Sequence, residues 1–166
     1  MDNIYLTGMM GCGKTTLGKM LARRLSMSFI DLDECIVQKT GMPITEIFDR
    51  YGQQRFREIE TEALQNASEM KNTVVACGGG IVLSPENVEI MKKSGKVVYI
   101  ERDIGEIVRT VDTQTRPLLQ GGREDAEQIF RVRKPLYEGA CDIKIHNTEP
   151  EAATSELAQK LKSMHG

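Results

Sequence analysis

The stretch from Gly8 to Thr15 is the first part of the sequence whose residue types and spacing could do chemistry. It reads GMMGCGKT and matches the phosphate-binding pattern G-x-x-x-x-G-K-[ST]. The glycines let consecutive backbone N–H groups turn inward around phosphate oxygens, and Lys14 supplies a mobile cation for the outer phosphates. Thr15 offers a hydroxyl to Mg²⁺. The pattern predicts a nucleotide site with ATP and Mg²⁺ as ligands.

Two acids and three arginines are further candidates, because phosphoryl transfer depends on positioning and charge compensation. Asp31 could reach a magnesium-bound water and Asp33 could accept hydrogen bonds from acceptor hydroxyls, although either carboxylate could instead be solvated or cap a helix. Arg57 and Arg133 could hold an anionic substrate by bidentate hydrogen bonds. Arg116 could close over the transferring phosphate and exclude water. Each arginine could equally be an ordinary surface residue.

These residues need elements that bring them together, and strand patterns alternate with helix patterns from end to end. Apolar runs predict strands at residues 3–7, 27–30, 73–76, 97–100 and 143–145. Alternating strands and helices form right-handed crossovers, so we expect a five-stranded parallel sheet in a three-layer α/β/α domain. The phosphate-binding stretch then opens a helix amino terminus, where free N–H groups and the helix dipole attract phosphate.

Glycine, proline and serine mark the predicted helix boundaries. Ser84 is predicted to cap a helix with Pro85 at its first position. Residues 113–124 contain glycines and charges, which suit either a mobile flap or a solvated surface loop. The other predicted helices end before Gly41 and Gly52, begin near Gln53 and Ile104, and include a last one over residues 153–161.

The composition limits the possible classes of protein. A chain of 166 residues with 40% apolar content suits one domain, residues 1–166. The net charge of −2, four tyrosines, four phenylalanines and no tryptophan argue against nucleic acid as a partner. No signal peptide or membrane-spanning run is visible, so a soluble cytoplasmic protein is expected.

The four cysteines lie far apart and the chain has only two histidines, so neither a zinc site nor a disulfide framework is predicted. All four thiols are expected to be buried and reduced. The thiol of Cys12 could instead have a lowered pKa in the electropositive loop, or it could simply fill space. The other three are Cys35, Cys77 and Cys141.

Taken together, these motifs resemble the shikimate kinase family, and the match covers nearly the whole chain. The resemblance implies a nucleoside-monophosphate-kinase-like fold. It also implies ATP-dependent phosphorylation of the 3-hydroxyl of shikimate, giving shikimate 3-phosphate and ADP, in aromatic amino acid biosynthesis. Nothing in the sequence requires a partner subunit, so a monomer is expected. The motifs are residues 8–16, Asp31-x-Asp33, Phe56-Arg57-x-x-Glu60, Gly78-Gly79-Gly80, Arg116-Pro117-Leu118 and residues 133–137, RKPLY.

The resemblance also implies roles for particular residues. Glu60, one helical turn from Arg57, could hold that guanidinium in place, and Asp33 could orient the reacting hydroxyl or accept its proton. An acceptor-binding helical part is expected around residues 33–61 and a flap around residues 112–124. The implied catalytic residues are Lys14, Asp33 and Arg116; the shikimate ligands are Asp33, Arg57, Gly79, Gly80 and Arg133; and the magnesium ligands are Thr15 and Asp31. The implied nucleotide contacts are Gly11, Cys12, Gly13, Lys14, Thr15, Thr16, Arg109, Arg116 and Pro150, with Arg109 and Pro150 enclosing adenine.

Two residues depart from the family pattern. Cys77 stands before the glycines where threonine is common, which removes a possible hydroxyl from the magnesium shell. Cys12 stands in the loop where serine or alanine is common. A gluconate-type kinase is the nearest alternative enzyme, and the paired arginines argue against it. A nucleotide-dependent switch is the alternative of another class; an Asn-Lys-x-Asp guanine-reading motif does not occur in the sequence.

Overall fold

Five parallel strands form the centre of the molecule, a computed structural model that describes residues 2–110 and 123–165. The strands lie in the order β2-β3-β1-β4-β5, so β1 is central. The predicted five-stranded parallel sheet is confirmed. The strands are β1 Asn3–Thr7, β2 Ser28–Asp31, β3 Thr73–Ala76, β4 Gly95–Glu101 and β5 Ile143–His146.

Helices connect the strands and cover the sheet. On α1, Leu17 and Leu21 are fully buried, as the helical spacing of apolar residues predicted. The helices are α1 Lys14–Leu25, α2 Leu32–Thr40, α3 Ile44–Ser68, α4 Pro85–Ser94, α5 Ile104–Thr110, α6 Arg123–Ala140 and α7 Pro150–His165, with a 3₁₀ turn at Ile81–Leu83.

The strand register brings the candidate residues to one edge of the sheet. Leu6 of β1 is paired with Ala76 of β3 on one side and with Val98 of β4 on the other. Parallel strands in this register end together, so the segments that follow them meet at the same edge. The phosphate-binding loop follows β1, and Asp31 is the last residue of β2.

Several predicted boundaries need correction. β2 begins one residue later than expected and ends at Asp31, and β4 is longer than the predicted strand by two residues at its start and one at its end. Ser84 precedes α4, but its side chain makes no capping hydrogen bond. The last two residues of the predicted loop 113–124 are helical, because α6 begins at Arg123. The rest of the predicted flap, with Arg116, lies outside the described residues.

The helices around residues 33–61 have a small apolar cluster of their own. It contains Ile36, Ile47 and Phe56, and the rings of Phe48 and Phe56 lie with centroids 4.7 Å apart. Gly52 has φ 82° and ψ 169° within α3, so the helix is interrupted where the sequence predicted a boundary. This cluster fixes α2 and the first half of α3 against each other.

The cysteines are all unpaired, as predicted. Cys12 and Cys77 are buried. The prediction of burial is wrong for Cys35, which is on α2, and for Cys141, which directly follows α6, because both are partly exposed. Within the described residues, no helix combines the length and apolar character needed to cross a membrane.

Candidate active site

The loop between β1 and α1 has the backbone shape that phosphate binding requires. Gly13 precedes α1 with φ 100°, a conformation that is strained for residues with a side chain. A Cβ at Gly13 would also lie 2.5 Å from Nδ2 of Asn147. The loop therefore needs glycine here for two reasons, and it delivers the free N–H groups of the α1 amino terminus to one side.

Lys14 and Thr15 begin α1 and face the same cleft. The Lys14 ammonium donates to the carbonyl oxygens of Gly8, at 2.7 Å, and Met9, at 3.0 Å. Thr15 donates its hydroxyl hydrogen to Oδ2 of Asp31 at 2.7 Å. The cation and the hydroxyl thus lie at the mouth of the phosphate-binding loop.

The sequence left open whether Asp31 caps a helix or faces the magnesium position, and its side chain is placed for both. Its Oδ1 accepts the backbone N–H groups of Asp33, at 2.9 Å, and Glu34, at 3.3 Å, so it caps α2. Its Oδ2 faces Thr15 across the cleft. The cap fixes the carboxylate beside the hydroxyl that could share a metal ion with it.

A cleft of about 270 Å³ lies between the phosphate-binding loop, the end of β2 and the loop that follows β3. Both Asp31 and Asp33 line it, together with Lys14 and Thr15. Its lining also includes Gly11, Gly13, Thr16, Gly78, Gly79, Cys77 and Thr110. Cys12 is not among the lining residues, and its thiol is fully buried in the main core, which agrees with a space-filling side chain.

Two arginines and one glutamate lie together beside the loop that follows β3. Arg57 Nη1 donates to Oε1 of Glu60 at 3.0 Å, and Glu60 is only 1% exposed. Arg133 on α6 is 4% exposed, and a Cβ placed on Gly79 would lie 3.3 Å from its Nη1. Tyr137, one turn further along α6, donates its hydroxyl hydrogen to the carbonyl oxygen of Gly79. The arginines therefore lie against the loop that follows β3.

The glycines of that loop leave room for functional side chains. A Cβ on Gly80 would lie 2.6 Å from Cζ of Arg57, and a Cβ on Gly78 would lie 2.7 Å from Oε2 of Glu60. Neither distance is compatible with a real side chain. The lack of side chains at the triple glycine therefore lets the Arg57 guanidinium and the Glu60 carboxylate lie directly against its backbone.

Burial and neighbouring charges shift the pKa values of Glu60 and Arg133. Burial raises the pKa of the Glu60 carboxyl; Arg57 opposes that shift and Asp33 adds to it. Burial lowers the pKa of Arg133. Among the described residues, Arg57 Nε and Arg133 Nη1 are buried donors without a hydrogen-bond partner. Buried unpaired N–H groups are costly, so these two donors fit an anionic ligand.

The sequence-based prediction missed two side chains at the nucleotide end. Arg102 Nη1 donates to the carbonyl oxygen of Gly11 at 2.7 Å, and Asn147 Nδ2 donates to that of Cys12 at 2.8 Å. Both residues directly follow a strand, Arg102 after β4 and Asn147 after β5. A polar residue at the carboxyl end of a parallel strand is the signal that could have identified them.

The two residues predicted to enclose adenine lie on different helices. Arg109 is in the last turn of α5, where it pairs with Glu106, and Pro150 is the first residue of α7. A second cleft, of about 370 Å³, lies between these regions, and neither residue is among those that line it. Arg102, Asp103, Glu106, His146, Asn147 and Thr148 line that cleft. The adenine contacts stay a prediction.

The described residues contain no preformed cluster of metal-binding side chains. They include no group of three or more histidine, cysteine, aspartate or glutamate side chains suited to a metal. Mg²⁺, however, keeps several waters and binds phosphate oxygens, so one or two protein oxygens are enough for it. The Thr15–Asp31 pair fits an ion that arrives with a nucleotide.

A phosphate-binding loop that shares a cleft with an acid and lies near two arginines with buried, unpartnered donors is the arrangement of a P-loop kinase for a small anionic acceptor. Comparison with known proteins narrows this class. Residues 10–164 match the model of the family described as shikimate kinase. The chain belongs to the shikimate kinase family, whose members are kinases that use ATP.

Individual relatives agree with this assignment. The chain is 43% identical to a shikimate kinase of Thermodesulfovibrio yellowstonii, over 97% of the chain and 93% of the relative. It is 38% identical to one of Caldicellulosiruptor bescii, over 99% of the chain and 96% of the relative. A solved structure of the Acinetobacter baumannii shikimate kinase in complex with shikimate superposes with a TM-score of 0.90, at 36% identity, covering 99% of this chain and 92% of that one. The predicted family, fold and enzyme class are confirmed.

Proposed function

We propose that the chain transfers the γ-phosphoryl group of ATP to the 3-hydroxyl of shikimate, which gives shikimate 3-phosphate and ADP. The observation that carries this proposal is the pair of buried arginine donors without a described partner, Arg57 Nε and Arg133 Nη1, beside the cleft that contains the phosphate-binding loop. The acceptor must then carry an anionic group at one end and a hydroxyl at the other. Shikimate has one carboxylate and three ring hydroxyls.

At the acceptor end, Arg57 and Arg133 bind the carboxylate. Glu60 holds the guanidinium of Arg57 through the 3.0 Å ion pair, and the hydroxyl of Tyr137 holds the carbonyl of Gly79. Gly79 and Gly80 let the ring approach the backbone closely. The helical part around residues 33–61 and α6 together form this acceptor site.

Asp33 is the residue that acts on the reacting hydroxyl. It lines the cleft next to Gly78 and Gly79, and its backbone N–H is fixed by the Asp31 carboxylate at 2.9 Å. A carboxylate there accepts a hydrogen bond from the 3-hydroxyl, orients it and takes its proton late in the transfer. The loose transition state needs little more than this from a base.

At the nucleotide end, Lys14 compensates the charge of the outer phosphates. The N–H groups of residues 11 and 13–16 surround them, whereas that of Cys12 closes a turn with Met9. Thr15 and Asp31 hold Mg²⁺, directly or through water, and the ion neutralises phosphate charge when it is bound. Arg109 and Pro150 enclose the adenine ring. Arg116, which lies outside the described residues, is proposed to close over the transferring phosphate as part of a flap around residues 112–124.

The cellular setting follows from the reaction. The enzyme acts in the biosynthesis of chorismate and the aromatic amino acids, in the cytoplasm, as a monomer with small-molecule partners. Its net charge of −2 and few aromatic side chains do not favour nucleic acid binding.

The test is ADP release by the purified protein with Mg-ATP in a coupled assay, with shikimate, gluconate or no acceptor. Turnover is expected with shikimate alone, and Lys14→Met should abolish it. An equal low rate in all three reactions, with ATP still bound, would contradict the proposal. Arg23→Met is the control, because Arg23 is exposed in the last turn of α1, at the end of that helix opposite to Lys14.

A further inference from the structure

Two side chains hold the outer carbonyl groups of the phosphate-binding loop. The Arg102 guanidinium donates to Gly11 O at 2.7 Å, and the Asn147 amide donates to Cys12 O at 2.8 Å. These are consecutive peptide groups of the loop. Both donors follow strands β4 and β5, on the opposite side of β1 from β3 and β2.

The peptide that Asn147 holds is the one whose N–H belongs to Gly13. In a trans peptide the C=O and the N–H point in opposite directions, so a carbonyl fixed on the outside turns the N–H of the next residue inward. The Gly13 N–H thereby faces the cleft that its residue lines. A carbonyl that turned inward would instead repel phosphate.

Arg102 supports the preceding turn. The N–H of Cys12 donates to Met9 O at 3.1 Å, which closes a turn at the start of the loop. Arg102 binds the carbonyl of Gly11 in the same peptide group as that N–H. An arginine donor makes this a charge-assisted hydrogen bond, which is stronger than a neutral one.

Both side chains are themselves anchored. Asn147 is 7% exposed, and its backbone N–H extends the β4–β5 pairing by donating to Glu101 O at 2.8 Å. The Arg102 side chain is 24% exposed and also donates to Thr110 Oγ1 at 3.2 Å on α5. Each donor therefore reaches the loop from a fixed position.

We propose that Arg102 and Asn147 are positioning residues that keep the phosphate-binding loop in its phosphate-binding form. The inference deepens the proposed function and rests on it, because it assigns these residues to the binding of the ATP phosphates. Their loss should weaken the binding of the nucleotide phosphates and leave the binding of shikimate unchanged.

The alternative is a direct contact with the nucleoside, since both residues also line the second cleft of about 370 Å³. Inorganic pyrophosphate separates the two readings, because it has phosphates and no base or ribose. If the two residues position the loop, the variants should bind both pyrophosphate and ADP more weakly. If the residues contact the nucleoside directly, only the binding of ADP should be weaker.

The experiment compares Arg102→Met, Arg102→Lys and Asn147→Leu with the parent. Calorimetry gives the Kd of Mg-ADP and of magnesium pyrophosphate, and steady-state assays give the KM of ATP and of shikimate. Arg102→Met and Asn147→Leu should each raise both Kd values and the ATP KM by about tenfold, with the shikimate KM within twofold. Arg102→Lys should recover most of the loss, because lysine still donates to the carbonyl.

Arg23→Met is the matched control for Arg102→Met, because Arg23 is exposed in the last turn of α1. An unchanged pyrophosphate Kd would overturn the proposal in favour of a nucleoside contact. A parallel rise in both KM values with a lower melting temperature would overturn it in favour of general structural support. The Arg102 variants decide the matter if Asn147→Leu does not fold. Failure of the proposed function would look different, since the parent would then bind ADP and pyrophosphate but not phosphorylate shikimate.

Discussion

The Gly80→Ala variant tests whether the guanidinium of Arg57 must occupy its observed place. The new Cβ would lie 2.6 Å from both Cζ and Nη2 of Arg57, where ordinary contact begins at 3.4 Å. The backbone is not strained by alanine, because φ of Gly80 is −96°. The Arg57 guanidinium is the flexible end of a side chain, so it moves and the backbone stays.

The size of the effect follows from that displacement. Nη1 lies nearer still to the new Cβ, so going from 2.6 Å to 3.4 Å moves the guanidinium by at least about 0.8 Å, which breaks the geometry of a bidentate contact with a carboxylate. Hydrogen bonds to charged groups contribute about 1.5–3 kcal/mol, so the shikimate KM should rise by roughly 10- to 100-fold. The ATP KM should change by less than about twofold, because the three atoms nearest to the new Cβ all belong to Arg57.

The assay is coupled ADP release with shikimate varied at saturating ATP, alongside thermal unfolding. Gly139→Ala is the matched control, since a Cβ there has nothing within 4 Å. In an Arg57→Ala background, Gly80→Ala should have little further effect, which a double-mutant cycle measures. A shikimate KM within twofold of the parent, with the melting temperature unchanged, would refute the assignment of Arg57 to the acceptor.

Three further variants test other parts of the site. Asp33→Asn should leave the ATP Kd within twofold and lower kcat by about a hundredfold, because it keeps the size and removes the charge; turnover within threefold of the parent excludes the role. Arg133→Lys should raise the shikimate KM by about tenfold, since lysine lacks the planar guanidinium fork. The control Arg131→Lys changes an exposed residue and should not raise it. A shikimate KM of Arg133→Lys equal to that of the parent would exclude Arg133 from the acceptor site. Folding raises the pKa of Glu60 above its ordinary value of 4.5. Between these two pKa values the carboxyl ionises more readily in the unfolded chain, so the free energy of unfolding of the parent should fall relative to that of Glu60→Gln as pH rises above about 4.5. The fall should stop once the pH exceeds the raised pKa. Urea unfolding from pH 4 to 8 measures this, and parallel profiles would contradict it.

Local sequence signals predicted the strands well where apolar runs are unbroken. Residues 3–7 and 73–76 are strands with the predicted ends, because they are buried on both faces and bounded by glycine or polar residues. The boundary at Gly52 was also correct, since only glycine readily adopts φ 82°. Ser84 was predicted as a cap from its type alone, and its hydroxyl does not bond the helix.

The site was only partly predictable, because the positions of two of its residues, Arg102 and Asn147, depend on strand order. The motif residues share recognisable patterns, so Lys14, Asp33 and Arg133 could be named from the sequence. Arg102 and Asn147 lie 91 and 135 residues from their loop partners. No local pattern shows that β4 is paired with β1, or that β5 is paired with β4, and only that pairing brings both side chains to the loop.

The position of β1 explains why the two halves of the reaction should respond separately to mutation. β1 lies in the middle of the sheet, with β3 and β2 on one side and β4 and β5 on the other. Of the proposed acceptor residues, Asp33 and Gly80 follow β2 and β3, and Arg133 is on α6, whereas Arg102 and Asn147 directly follow β4 and β5. The phosphate-binding loop, which follows β1, is the element in contact with both sides. Substitutions on opposite sides share no described hydrogen-bond partner, so Gly80→Ala and Arg102→Met should have additive effects on kcat/KM when combined. A large departure from additivity would mean that the loop transmits strain from one substrate site to the other.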